Sequence, residues 1–257
     1  MFVRNYLAHV PENKLLVLLM HVPIVACKNK EQMFSLLENR PYSFSISAHL
    51  HDQVHLFLDE RMGWRGTRPH HHFINATVSG SWWCGLLDEV GIPHATMNDG
   101  APNGYSIITF DGNQYSIRFK AARRPADYQM NIYLPDDIDT DAADTTRILV
   151  NVFAGSERSR VEMRFGKNSN WQALEQVVTI DPECLRMHNL SPILDQKIQD
   201  QVLEEIFGWK MDYPHKSRHM WQGRLPANPA PGSYTVTVRT IDMFGQIWTG
   251  HRIIRIR

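Results

Sequence analysis

The sequence predicts an α+β protein in two parts: a layered first part with a flanking helix, then an Ig-like all-β sandwich carrying a helical insertion. Three observations carry this. "KLLVLLM" (14–20) is apolar on both faces, as in a strand covered by other layers on either side. Helical spacing through Met33, Leu36 and Leu37, followed by the alternating "YSFSIS" (42–47), makes a strand–helix–strand unit. From residue 105 onward, short alternating segments recur between turn residues.

Taken in order, residues 2–9 fit the last turns of a helix, and 14–20 the first strand. Pro41 stops the helix over 30–40 before the strand at 42–47. A parallel crossover would set His21 beside His49 and His51 at the carboxyl ends of neighbouring strands, where open α/β sheets bind ligands. Residues 71–80 read as a strand. In "YSIITFDGNQYSIRFK" (105–120), Asp111-Gly112 marks a hairpin turn, with Tyr115, Ile117 and Phe119 on one face. "YQMNIYLP" (128–135) adds a strand. "DDIDTDAADTT" (136–146) lacks periodicity and reads as a solvated linker; a calcium loop would need the glycine and terminal glutamate of an EF-hand. The units are therefore 1–135 and 147–257. In the second, "RILVNVF", "RVEMRF", "WQALEQVV", "SYTVTVRTID" and "QIWTGHRIIRIR" read as sandwich strands. Its helix is expected from Ser191-Pro192, with a stripe at Leu194, Ile198, Val202 and Ile206 and a stop at Gly208.

Lysine plus arginine and aspartate plus glutamate each number 27, so no net field draws the chain to nucleic acid or an anionic membrane. Cys27, Cys84 and Cys184 are far apart and form no C-x-x-C, which argues against a disulfide framework or a thiolate metal site. No apolar run spans a bilayer, and "MFVRNYLAHVPENK" lacks the layout of a signal peptide.

Histidine points to chemistry: nine of thirteen lie in the first hundred residues. His49-x-His51, joined by His21, could form a facial nitrogen set for zinc, iron, nickel, copper or, less strongly, manganese. Spacing alone leaves ligation and chance placement equally open. His70, His71 and His72 follow Pro69 in a Gly- and Arg-containing stretch and are expected in a solvent-facing loop. His9 and the C-terminal histidines are expected on the surface. Trp82 and Trp83 could wall a binding site or pack as core or rim aromatics. The rigid loop 91–106 offers Asn98, Asp99 and Asn103, which turn formation explains as well. His72, Trp82, Trp83, Asp99 and Asn103 are the candidate substrate-binding residues.

"LLVLLMHVPI", "SAHLH", "HHHFINATVSGSWW" and "GIPHATMNDGAPNGYSIITFDGNQYSIRFKAA" resemble the later part of bacterial calcineurin-like metallophosphoesterases. "GSERSRVEMRF", "WQGRLPANPAPGSYTVTVRTIDMFG" and the closing strands resemble their dedicated C-terminal domain. The resemblance implies the C-terminal part of a layered metallophosphoesterase β-sandwich followed by that domain. It also implies a hydrolase acting on a phosphate mono- or diester at a two-metal site (manganese, iron or zinc) through metal-activated hydroxide. His21 matches the family's lone histidine motif. His49 and His51 match its Gly-His-x-His, with Ala48 replacing glycine. No Asp-x-His, Gly-Asp or Gly-Asn-His precedes His21, so no catalytic residue is assigned.

Two divalent ions ~3.5–4 Å apart repel by roughly 17–19 kcal/mol at an effective dielectric of about 20, which three neutral imidazoles do not offset. The expectation is at most one weakly bound ion and no phosphoesterase activity for this chain alone. Self-association through an exposed N-terminal sheet edge is expected too. For a complete form, the resemblance implies a phosphate-ester substrate and a periplasmic or cell-envelope location. The alternatives are a glycan- or protein-binding sandwich using Trp171, Trp221 and Trp248, or a histidine-rich metal binder in which His70–His72 converge on His49 and His51.

Overall fold

The computed structural model describes residues 2–199 and 211–257, with side chains for 3–192 and 211–257. The chain is mostly sheet with a few helices. Helix α1 (Phe2–Leu7) leads to β1 (Leu16–Leu19), α2 (Lys30–Leu37), β2 (Ser43–Ser47), β3 (Val54–Leu58) and β4 (His70–Ile74). These strands form one sheet in the order β1-β2-β4-β3. The β1–β2 and β2–β4 pairs are parallel, and β3 runs antiparallel to β4. One face is covered by Leu7, Ile24, Phe34, Leu37 and Trp64. On the other, Phe44 and Phe73 meet Ile117 of the hairpin β5 (Gly104–Asp111) and β6 (Gln114–Ala121). Covering both faces is what the continuous apolarity of β1 requires. β1 is an edge strand, and Leu19 on it is 74% exposed.

The remaining strands are β7 (Met130–Tyr133), β8 (Asp137–Ile138), β9 (Arg147–Val152), β10 (Arg160–Phe165), β11 (Gln172–Ala173), β12 (Glu175–Ile180), β13 (Lys216–Arg224), β14 (Gly232–Ile241) and β15 (Ile247–Ile256). They make two sheets, β12-β13-β9-β7 and β11-β10-β14-β15-β8. Val150, Trp221, Val161, Val238 and Ile254 from both sheets share one core. Full burial of side chains this size contributes about 1.5–3 kcal/mol each. β7 hydrogen-bonds to β9, so the second architecture already includes Met130.

Several local expectations change. Residues 136–146 are not a solvated tether. β8 pairs in parallel with β15, Thr140–Thr145 form a 3-10 helix, and Ile138 and Ala143 are buried. Asp137 is held by Arg255 and Arg257, so the acidic string is partly neutralised by the last strand. The insertion helix, α3 (Pro182–Gln199), starts nine or ten residues earlier than expected. Asp181 caps it by accepting from the Cys184 N–H at 2.8 Å, and Pro182 occupies the first turn, where its missing N–H costs nothing. Ser191 and Pro192 lie inside the helix. The stripe at Leu194, Ile198, Val202 and Ile206, with its stop at Gly208, lies outside the described side chains. No helix among the described residues is long and apolar enough to cross a membrane.

Candidate functional site

The carboxyl ends of β1 and β2 are tied by the Ala48 N–H donating to the His21 carbonyl at 3.1 Å. This sets two imidazoles together: His49 Nδ1 and His21 Nε2 are 3.0 Å apart, with the rings edge to face. Two nitrogens bound to one tetrahedral zinc at ~2.0–2.1 Å would be separated by about 3.3 Å, so the pair is close to the spacing of co-ligands. His51 behaves differently. Its Nδ1 donates to the Gly80 carbonyl at 2.6 Å, and its ring stacks on Trp82 at 4.3 Å between centroids. Donation from Nδ1 leaves the His51 Nε2 lone pair available, the arrangement by which outer groups fix a ligating histidine.

Backbone strain gathers here. Among the described non-glycine residues with positive φ are His49 (68°), His51 (56°), Trp82 (64°) and Trp83 (54°). Left-handed backbone at bulky residues costs on the order of 1–3 kcal/mol each and concentrates where function requires it. Trp82 and Trp83 are 57% and 48% exposed, and Trp82 walls the surface beside His51. Gly80 makes this possible. At φ 52° its backbone lies so near Ala95 that an added Cβ would sit 1.5 Å from the Ala95 oxygen. Gly80→Ala is therefore expected to cost about 1–3 kcal/mol and to move the carbonyl that holds His51. A urea midpoint and a His51 ring resonance both unchanged from wild type would refute this.

The other sequence candidates are interior. Asp99 and Asn103 are buried; Asn103 donates to the Val78 carbonyl, and Asn98 accepts from the Ser81 hydroxyl. His70, His71 and His72 are not on a loop. They form β4, and His72 is fully buried. Their polarity is absorbed by a ladder running between β2 and β4. Ser43 Oγ meets His70 Nδ1 (2.9 Å), and His70 Nε2 meets Ser45 Oγ (2.8 Å). Ser45 Oγ meets His72 Nδ1 (2.7 Å), and His72 Nε2 meets Ser47 Oγ (3.0 Å). Ser45 has a single proton, so by donating to one ring and accepting from the other it couples the two. His70 and His72 thus share one tautomer, and ¹⁵N imidazole shifts showing opposite tautomers would refute that. Burial holds His70 down to about 3 and His72 to about 4. His71 points the other way, to the Tyr115 hydroxyl (2.7 Å) and to His55 (2.9 Å). The triplet therefore does not converge on His49 and His51.

Sequence reasoning also missed a second polar centre. His219, expected on the surface, is buried in β13. Its Nε2 lies 2.9 Å from Asp99 Oδ2 and its Nδ1 2.7 Å from Asn151 Oδ1. Asn151 Nδ2 in turn donates to Asp181 Oδ2 at 2.8 Å, as does the Tyr133 hydroxyl at 2.7 Å. Nearby, Asp52 pairs with His215 at 3.0 Å. Burial first, then the Asp99 carboxylate, push Asp52 up to about 6, against the opposing pull of His215. The one sequence signal for this centre was a His-x-x-x-His pair, 215 and 219, in a stretch not read as a strand.

As a cation site the donors fit in part. His21 and His49 hydrogen-bond to each other, nitrogen to nitrogen, and a late first-row ion such as zinc would have to replace the proton they share. Among the described residues, however, no three His, Cys, Asp or Glu side chains are grouped so as to hold a metal. The tryptophans considered for a binding module are occupied as well. Trp221 is buried in the sandwich core, Trp171 lies under Arg164 and Arg239, and Trp248 packs against that core.

Among solved structures, the chain is 12% identical to superoxide reductase (neelaredoxin) from Ignicoccus hospitalis, over 51% of this chain and 81% of that one, with a TM-score of 0.28. It is 10% identical to the sulfane dehydrogenase SoxCD from Paracoccus pantotrophus, over 72% and 34%, with a TM-score of 0.19. Likeness this low carries no functional argument. Comparison with curated proteins returned no match. A family model does match: residues 72–248 fit the one described as the C terminal of calcineurin-like phosphoesterase. That span takes in the last three residues of β4, the tryptophan turn, the 91–106 loop, the hairpin and most of the sandwich, and the chain belongs to this family.

Proposed function

We propose that the chain carries the later part of the catalytic unit and the C-terminal, Ig-like sandwich of a metal-dependent phosphoesterase. In its complete form this enzyme would hydrolyse a phosphate mono- or diester. One observation carries the reading: His21 Nε2 and His49 Nδ1 stand 3.0 Å apart at the carboxyl ends of two parallel strands. In this reading His21 and His49 hold a divalent cation, and His51 joins them through Nε2. The bound ion supplies Lewis acidity toward a phosphoryl oxygen. Trp82 and Trp83 line the approach and keep one side of the site apolar. Asp99 and Asn103 support the site from within, through the backbone of Gln53 and Val78, and do not touch substrate. The present side chains supply nitrogen ligands only, so two ions are not held without further anionic donors.

Cobalt(II) titration of the purified chain tests the reading. The expected result is one equivalent bound, with affinity lowered at least about tenfold in His21→Ala and in His49→Ala. In a version extended upstream by acidic ligands, hydrolysis of an aryl phosphate is expected, and His49→Ala abolishes it. Equal cobalt binding by wild type and both variants would overturn the assignment of these two ligands.

A further inference from the structure

We propose that the C-terminal sandwich sets the geometry of the candidate cation site, with His215 and His219 acting as positioning residues for the His49–Gln53 turn. The inference rests on the reading of His21 and His49 as cation ligands and adds a role for the domain that follows them.

The turn has little bonding within itself. Two of its residues, His49 and His51, are left-handed, and its internal backbone bond runs only from the Leu50 N–H to the Ala48 carbonyl at 2.8 Å. Besides the bonds of His51 to the Gly80 carbonyl and of the Ala76 N–H to Gln53 Oε1, restraint comes from far along the sequence, at two consecutive residues. The Asp52 carboxylate accepts from His215 Nδ1 at 3.0 and 3.2 Å, across 163 positions. The Gln53 N–H donates to Asp99 Oδ2 at 2.6 Å, and the same oxygen accepts from His219 Nε2 at 2.9 Å. His219 is fixed in turn by Asn151, and Asn151 by the Asp181 that caps α3. The His215 N–H donates to the Asn98 carbonyl at 2.7 Å, which holds the 91–106 loop in the same assembly.

The chain of bonds is therefore continuous from β9, β13 and the start of α3 to the backbone next to His51. Asp99, His219, Asn151 and Asp181 are all buried, so the bonds are strong and directional and water does not replace them. The apolar core between the two sheets needs none of these groups. What they hold is the turn that carries two of the three candidate nitrogens. Outer partners that orient ligating groups typically change metal affinity by 10–100-fold.

The test uses the full chain, cobalt(II) as the probe, and the imidazole resonance of His51, which Trp82 displaces by its ring current. His215→Ala is the safer variant, because the His215 side chain is half exposed. His219→Gln probes the buried arm. His251→Ala, on β15 beside Thr237, is the control. The expected result is about tenfold weaker cobalt binding in His215→Ala and His219→Gln, with a moved His51 signal, and no change in His251→Ala. Wild-type affinity in a folded His215→Ala protein overturns the inference even if His219→Gln fails to fold. If wild type takes up no cobalt, the ligand reading falls and the His51 signal decides: movement in His215→Ala supports the positioning role, and a fixed signal overturns it.

Discussion

Lowering the pH from 7 to about 4.5 is expected to unfold the four-stranded sheet. Burial holds His55 and His70 down to about 3 and His72 to about 4, against 6.5 for an exposed imidazole. In that window the unfolded chain binds three protons that the folded chain refuses. Stability therefore falls as pH falls, by about 1.4 kcal/mol per pH unit per group, or roughly 4 kcal/mol per unit for three. His71 is pushed in the same direction by the same burial. Asp52, raised to about 6, and Asp181 and Asp242, which burial also raises, act with the opposite sign, whereas His94, lowered by burial to about 4, adds to the loss. Over two units the loss is on the order of 8 kcal/mol, within the total stability of an ordinary domain. The measurement is the urea midpoint at pH 7, 6 and 5. His72→Asn should make the slope shallower, because it deletes one of the refused protons. A midpoint independent of pH across this range would mean that the histidines are not neutral and buried as described.

Those histidines show where sequence reading stops. The apolar run of β1, the serine alternation of β2 and the Asp111-Gly112 hairpin were all legible, because each is a local signal with a fixed period or turn. Three consecutive histidines after a proline look like a polar loop, since composition gives a residue's polarity and not its partner. The partner was visible in principle: Ser43, Ser45 and Ser47 recur with the period of two needed to face His70 and His72 from the neighbouring strand. What the sequence could not supply was the register that joins them. The acidic stretch 136–146 failed for a related reason. Its charge is met by Arg255 and Arg257 at the far end of the chain, and its two small buried groups, Ile138 and Ala143, are too few to set up a period.

The candidate site was legible as a set of residue types and less so as a geometry. His21 and His49 come together because parallel pairing of β1 and β2 was readable. The contacts of His51 were not readable: two left-handed residues turn the chain, its Nδ1 donates to the Gly80 carbonyl and its ring stacks on Trp82. Asp99, a candidate polar group of the 91–106 loop, is buried and bonded to the Gln53 N–H, the Ala101 N–H and His219. His219 went unread because β13 carries it among Lys216, Arg218 and Arg224, and its burial is made possible by a carboxylate 120 residues away. Long-range polar pairs leave no periodic trace in a single sequence.

Asp99→Ala is accordingly expected to be among the most damaging single substitutions outside the apolar cores, lowering stability by about 3–5 kcal/mol. Asp99 is 2% exposed and has three bonds: from the Gln53 N–H, from His219 Nε2 and, at Oδ1, from the Ala101 N–H at 3.0 Å. Truncation strands three donors in a region that water does not reach, each worth about 1–3 kcal/mol when unsatisfied. Asp99→Asn keeps the shape and one acceptor oxygen, so its loss should be smaller than that of alanine. The exposed pair of Arg124 with Glu89 provides the contrast: solvent screens it, and Glu89→Ala should leave the urea midpoint unmoved. The order expected from denaturation is Asp99→Ala well below Asp99→Asn, with Glu89→Ala at wild type. An Asp99→Ala protein as stable as wild type would show that the carboxylate is not the joint between the His49–Gln53 turn and the sandwich, and the link from β13 to that turn would then depend on Asp52 and His215 alone.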